Sequence, residues 1–356
     1  MVLPRAIVPP YLLARIAASD HPRFTHAADA AQRTLLAPRS YRPRTRLTLS
    51  IDGDTLVAEA TPAPDRTVSD AQGRTRLPGV TVRREDDPPV ADTAVNEAFD
   101  GLGTTFDLFS QAYGRNSIDD AGMPLRATVH YGRDYDNAFW NGSRMVFGDG
   151  DGEIFAGFTG SLSVVAHELT HGVTEHAAGL VYRGQSGALN ESLSDVFGAL
   201  TEQHARDQTA DEASWLIGAG VFTAAVEGDA LRSLRAPGTA YDDDVLGRDP
   251  QPAHMRDFVV TEDDDGGVHI NSGIPNHAFY LVASALGGRA WERAGLIWYR
   301  TLTGGSLAHE ADFAAFAEAT LATAAAEYGE HAEETAAVRT AWTAVGVLKD
   351  DPTPRA

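Results

Sequence analysis

His167, Glu168, Leu169, Thr170 and His171 spell H-E-x-x-H. On a helix, residues four apart lie one turn apart on the same face, so both imidazoles can hold one metal ion. Glu168, beside the first histidine, can reach a water bound to that metal. The spacing therefore points to hydrolysis by a metal-activated water. The flanks favour a helix: Ser161 or Ser163 suits an N-cap, and Val164, Val165, Leu169 and Val173 recur near helical spacing. Gly172 weakens the helix and Gly179 is a plausible stop. Alone, the five residues could also be a solvated helix face.

A second helical pattern opens at Gly187–Asp195, with Leu193, Val196, Phe197 and Leu200 on its apolar side. Glu191 is a candidate third ligand. A His, His, Glu set leaves one position for water, as in catalytic rather than structural zinc sites. Asp195 lies four residues after Glu191 and points the same way. It could accept a hydrogen bond from the free ring nitrogen of His167, as metal-bound histidines usually require. Acids early in a helix are also favoured by its dipole, so the pairing with the pentapeptide is what singles these two out.

With these residues in place, the chain resembles the thermolysin-like neutral zinc metalloproteases. Residues 172 to 190, nineteen in all, separate His171 from Glu191. That is the gap of this family, whereas the related aminopeptidases have one residue fewer. The resemblance runs from about Val68 to Leu348. It implies a two-domain α+β fold. An N-terminal domain of mixed β-sheet and helix, residues 51–177, ends in the H-E-x-x-H helix. A mainly α-helical domain, residues 178–350, follows, with zinc in the cleft between them. It implies an endopeptidase in which His167, His171 and Glu191 hold one Zn²⁺ and Glu168 is the general base.

Further residues match family positions one by one. Asn137 and Ala138, before Phe139 and Trp140, match an edge strand that binds extended substrate; the segment also reads as a loop anchored by a buried Trp140. Tyr182 matches a tyrosine that helps hold the oxyanion. Arg232 matches an arginine that grips a substrate carbonyl, and a buried arginine pairing a carboxylate would fit the same position. In Gly266–Gly273, His269 matches a proton donor and transition-state stabiliser. Asp264 matches its supporting carboxylate, although Asp263 and Asp265 flank it. Phe155, Phe158, Val164, Ile217, Val221 and Leu231 match an apolar lining, which implies cleavage before bulky hydrophobic residues.

The elements that must position these groups are partly readable. Leu47, Leu49 and Ile51, the Asp52-Gly53 turn, then Leu56 and Val57 alternate as strands do. The run from Thr67 to Val80 reads as a hairpin, residues 94–113 as a helix, and Arg126 to Tyr131 as a short strand. Asp149 to Gly152 makes a tight turn. After Asp195 the chain reads as mainly helical, and residues 296–347 as alanine-rich helices completed by Trp342. Pro9 and Pro10 can start a short helix with Tyr11, Leu12, Leu13 and Ile16. Pro-Pro-Tyr-Leu-Leu resembles the start of the short propeptide of protealysin-like members, so residues 1–50 are expected to be a propeptide that inhibits its own cleft. Residues 22–46, rich in Arg, His, Ala and Pro, read as an exposed, cleavable connector.

Composition bounds the remaining choices. The chain has 356 residues, 43% hydrophobic and 22% charged, ordinary for a globular protein with two domains. A net charge of −21 argues against nucleic acid as a partner. There is no cysteine, which excludes disulfides and thiolate zinc sites. No apolar run is long enough to span a membrane. Prolines interrupt any signal-like apolar stretch near the N-terminus. The family implies secretion, and the absence of a recognisable signal leaves a cytoplasmic location as the alternative. Paired calcium sites are common beside the zinc helices in this family. Here Ser163, Leu216 and Ala219 stand where acids would be needed and only Glu202 remains, so the double site is expected to be absent. Thr223, the Val226 carbonyl and Asp229 could form a single weak Ca²⁺ site. The run Asp242-Asp243-Asp244 reads as a solvated loop.

Overall fold

The computed structural model describes residues 5–37 and 62–349. Chain order begins with β1 (Arg5–Ala6), α1 (Pro10–Ala17) and α2 (Thr25–Leu36). Then come β2 (Arg66–Asp70), β3 (Val80–Arg84), α3 (Thr93–Tyr113), β4 (Leu125–Val129), β5 (Ala138–Trp140) and β6 (Met145–Phe147). These strands form one sheet in the order β1-β5-β6-β4-β2-β3. β2, β4 and β6 run parallel, while β1, β5 and β3 are antiparallel to their neighbours. Helix α3 covers β2 and β4. It starts where the Asp92 side chain accepts from the Ala94 and Val95 N–H groups and stops at Gly114 in the left-handed region.

Two helices follow side by side, α4 (Leu162–His176) and α5 (Gly184–Arg206). Their close approach has a local cause. A Cβ on Gly198 of α5 would lie 2.8 Å from the Ser163 carbonyl oxygen of α4; separately, one on Gly172 of α4 would lie 2.9 Å from Ile118 and 3.2 Å from Trp140, so that glycine lets α4 seat against β5. Each glycine weakens its helix by roughly 1 kcal/mol relative to alanine, and each allows a contact that no side chain would permit. Residue Gly179, at φ +58°, lies beyond the end of α4.

The mainly helical reading holds for α4 and α5 but not for the stretch after them. Residues 207–263 are loops with two small antiparallel pairs, β7 (Leu216–Ile217) with β8 (Arg232–Ser233) and β9 (Asp242–Asp243) with β10 (Gly247–Arg248). The acidic run is thus part of a hairpin strand, with Asp243 accepting from the N–H groups of Glu227, Val245 and Leu246. Helices resume with α6 (Asp264–Asn271), α7 (Gly273–Leu286), α8 (Ala294–Thr303), α9 (Phe313–Tyr328) and α10 (Glu333–Ala344). Trp298 and Trp342 stack at 6.1 Å in their core, and the Trp342 indole donates to Thr320 at 2.9 Å.

The connector reading of residues 22–46 is corrected in part. Thr25–Leu36 is the helix α2, with Ala27, Ala30, Ala31 and Thr34 buried. Alanine is a strong helix former, and these four residues recur at helical spacing; interleaved Arg and His residues mask the pattern. Helix α1 begins at Pro10 as expected, and it buries Leu12, Leu13 and Ile16 in the main core. The expected strands at Leu47–Val57 and the propeptide boundary near residue 50 lie outside the described residues.

Candidate active site

Helix α4 presents His167 and His171 on one face, and α5 brings Glu191 against them. All three are fully buried. Nε2 of His167 lies 3.5 Å from one Glu191 oxygen and Nε2 of His171 lies 3.4 Å from the other. One ligand atom from each residue lies within 4.8 Å of the other two. Both Nε2 atoms and Glu191 Oε2 have no hydrogen-bond partner. Buried polar groups are almost always paired, so three orphaned lone-pair atoms converging on one point fit a bound cation. The set of two imidazoles and one carboxylate suits zinc. It is also the one such group of His, Asp and Glu residues among the described residues.

The outer ring nitrogens fix the orientation. Nδ1 of His167 donates to Asp195 at 2.8 Å, as its spacing suggested. Nδ1 of His171 donates to the Asn190 side-chain oxygen at 2.8 Å and lies 3.0 Å from the Ser194 hydroxyl. These bonds leave Nε2 of each ring free for the metal. Burial, followed by the neighbouring His167, holds the His171 imidazole well below its ordinary pKa and so neutral, as a ligand must be.

Asp195 is held in turn. Arg232 donates to both its oxygens at 2.8 Å, and the Asn276 amide adds a bond of 2.9 Å. Burial would raise the Asp195 pKa, but the Arg232 charge and the bond from His167 keep it well below the usual carboxylate range. Arg232 therefore does pair a buried carboxylate. Its remaining nitrogen, Nη1, donates to the Ile7 carbonyl at 2.9 Å.

Glu168 is fully buried and neither of its oxygens has a hydrogen-bond partner. Burial, and then Glu191, push its pKa well above the ordinary value. On the opposite wall, His269 donates from Nδ1 to Asp264 at 2.6 Å, and the His269 backbone N–H donates to the other Asp264 oxygen at 2.8 Å. Among the three adjacent acids, Asp264 is thus the partner. Asp264, Asp265, Gly266 and Gly267 all lie at positive φ. Such a left-handed run is strained for the two aspartates, and it turns Asp264 back onto the ring. Burial lowers the His269 pKa, but Asp264 and Glu191 outweigh it and raise the group to about 9. Tyr182 donates its hydroxyl to Glu191 and lies 3.4 Å from His269 Nε2. Burial, and then Glu191, raise its pKa and keep it a donor.

The cleft edge is β5, tied to α4 by the Trp140 indole, which donates to Glu175 at 2.9 Å. Strand β1 pairs antiparallel with it, Arg5 opposite Trp140 and Ala6 opposite Phe139. The Ile7 N–H donates to the Ala138 carbonyl at 3.1 Å. The Asn137 side chain accepts from the Val8 N–H and donates to the Val8 carbonyl, both at 2.9 Å. His269 Nε2 donates to the Ala6 carbonyl at 2.8 Å. Residues 5–8 thus touch the three positions singled out for substrate, Asn137, Ala138 and Arg232, and the catalytic candidate His269. The residues matched to the apolar lining, Phe155, Phe158, Val164, Ile217, Val221 and Leu231, are all buried.

Where a double calcium site would need acids, Ser163 accepts from the Gly218 N–H at 3.1 Å and Glu202 pairs with Arg206 at 2.6 Å. The Thr223 hydroxyl donates to the Glu153 carbonyl at 2.5 Å. Sequence reasoning missed Asn190, Ser194 and Asn276. The first two carried a signal, since they flank Glu191 on the helix face that turns to α4; Asn276 lies 81 residues from its partner and carried none.

Residues 56–175 match the family described as the thermolysin metallopeptidase catalytic domain, and residues 178–347 match its alpha-helical domain. An extracellular metalloprotease of Pectobacterium carotovorum subsp. carotovorum is 50% identical over 344 residues, 96% of each chain. Protease PrtS of a Photorhabdus species is 50% identical over 284 residues, 79% of this chain and 76% of that one. The solved precursor of protealysin, a metalloproteinase from Serratia proteamaculans, superimposes with a TM-score of 0.86 at 50% identity, covering 97% of this chain and 100% of that one. The buried His, His, Glu set, its carboxylate support and these matches lead to one conclusion: the chain is a metalloendopeptidase of the thermolysin family.

Proposed function

We propose that the protein is a zinc endopeptidase precursor whose N-terminal segment holds its own cleft closed, and that the mature enzyme cuts before a bulky apolar residue. The observation that carries this reading is the seating of residues 5–8 along β5, with Ile7 on Arg232 and Ala6 on His269. A peptide there excludes any other from the same edge. The propeptide is taken as residues 1–50, followed by domains at 51–177 and 178–350.

His167, His171 and Glu191 would hold the zinc, which would supply a water of lowered pKa and Lewis-acid polarisation of the scissile carbonyl. Glu168 takes a proton from the attacking water and passes it to the leaving amine. Its burial directly beside His167 and Glu191 supports that shuttle. His269 and Tyr182 donate hydrogen bonds to the developing oxyanion; Asp264 keeps the His269 ring aimed. Asn137, Ala138 and Arg232 align the peptide backbone. Preference for a large apolar residue on the leaving-group side rests on the buried Phe155, Phe158, Val164, Ile217, Val221 and Leu231, since burying such a side chain is worth roughly 1.5–3 kcal/mol. A single weak Ca²⁺ site at Thr223, the Val226 carbonyl and Asp229 and secretion from the cell complete the proposal. The extracellular names of the relatives support secretion.

Intact mass of the purified chain over time tests the core of this. Chelator-sensitive loss of an N-terminal fragment, absent in Glu168→Ala, is the expected result. If trace protease removes the fragment and blocked Leu-containing peptides still remain whole, the reading of an endopeptidase fails. Melting with and without calcium tests the single site.

A further inference from the structure

The segment in the cleft also carries information about substrate choice. Its backbone has the register of a peptide to be cut. The Ala6 carbonyl faces His269, the Ile7 N–H faces the Ala138 carbonyl, and the Ile7 carbonyl faces Arg232. The Ala6–Ile7 peptide therefore occupies the place of a scissile bond, and Arg5 is the second residue before it.

Arg5 is only 6% exposed. Its Nη1 donates to the His171 carbonyl at 2.9 Å, and its guanidinium lies 5.7 Å from the Tyr182 ring centroid. Among the described residues it forms no ion pair with a carboxylate. The groups that receive it are a backbone oxygen and a π-face, both of which attract a cation and repel an anion. Both belong to the enzyme rather than to the segment, so they remain after the segment leaves.

We propose that the mature enzyme selects a basic side chain, Arg ahead of Lys, at the second residue before the scissile bond. The inference rests on the reading of the chain as an endopeptidase, and names part of its substrate class. The His171 carbonyl and the Tyr182 ring form the recognition surface. Arg leads because its planar fork can donate to the carbonyl while lying against the ring.

The test compares four blocked, quenched peptides of sequence X-Ala-Ile-Val on the processed enzyme, with X as Arg, Lys, norleucine or Glu. We expect kcat/KM for Arg to exceed that for norleucine at least tenfold, mostly through KM, and Glu to be poorest. A second arm measures binding of synthetic peptides of residues 5–17, native or Arg5→Met, to processed, zinc-free protein by calorimetry; the expected loss is again at least tenfold. Equal rates for Arg and norleucine within twofold, with all four peptides cut at Ala–Ile, would overturn the subsite and leave the endopeptidase intact. Equal affinity of the two long peptides would also overturn it. Failure to cut any of the four would overturn the endopeptidase reading and the subsite together.

Discussion

Arg232 donates a 2.9 Å hydrogen bond to the carbonyl of Ile7, 225 residues earlier in the chain. The same guanidinium grips Asp195, and Asp195 orients His167. One buried cation thus joins the N-terminal segment to the carboxylate that orients His167. On the proposed reading, a peptide arriving in place of residues 5–8 would meet a donor that is already fixed, with little ordering left to do on binding.

Glu168→Gln keeps the shape and removes the proposed base. We expect kcat of the processed enzyme to fall about 10²–10⁴-fold, with one zinc per chain retained by elemental analysis. Loss of the zinc along with the activity would instead make Glu168 part of the metal's support.

Asp195→Asn removes the carboxylate behind His167 and leaves Arg232 buried without its partner. Zinc affinity is expected to drop roughly 10–100-fold, read by competition with a chelator. The zinc-free protein is also expected to melt several degrees lower, because an unpaired buried charge is costly.

Asp136, next to Asn137, is fully buried and faces Asp151. Burial, then the facing Asp151, raise its pKa to about 9. Its folded pKa lies above the unfolded value of about 3.9. The folded chain therefore holds an extra proton between those values, and stability falls as pH rises from about 4 to about 9. Asp136→Asn supplies a permanent neutral partner for Asp151. Melting temperature should rise at pH 8, and its slope between pH 5 and pH 8 should flatten. An unchanged slope would mean that the proton resides elsewhere.

Leu13 is fully buried in the core shared by α1 and the rest of the chain. Leu13→Ala costs about 2–5 kcal/mol of that packing. Placed in the Glu168→Gln background, where self-cleavage is absent, it should speed removal of the N-terminal segment by trypsin at least tenfold over Glu168→Gln alone. A rate matching the parent would show that α1 does not hold the segment down.

The site was legible where chemistry and spacing coincide. His167, His171, Glu191 and Asp195 are set by one helical turn on each of two helices, and the local run after Asp264 brings that acid back to His269. Contacts made across the fold were not legible. Nothing near Asn276 points to Asp195, and nothing near Arg5 points to the carbonyl of His171. Helix α2 was misread because Arg33 and His26 interrupt its alanine face in sequence but not in space. The hairpin of β2 and β3 was legible because alternation and turn residues are both local, whereas the loops of residues 207–263 hold their shape through contacts that no periodicity records.

Strand β1 stands at the outer edge of the sheet, with β5 behind it. On the proposed processing, loss of residues 5–8 would make β5 the border and leave the Ala138 carbonyl and the Asn137 amide without those partners. An open border recruits any extended chain, including another copy of the same protein. The two forms should therefore differ in colloidal behaviour as well as in catalysis. The form that keeps residues 5–8 would tolerate high concentration, and the form without them would rely on substrate, dilution or its net negative charge to keep its copies apart.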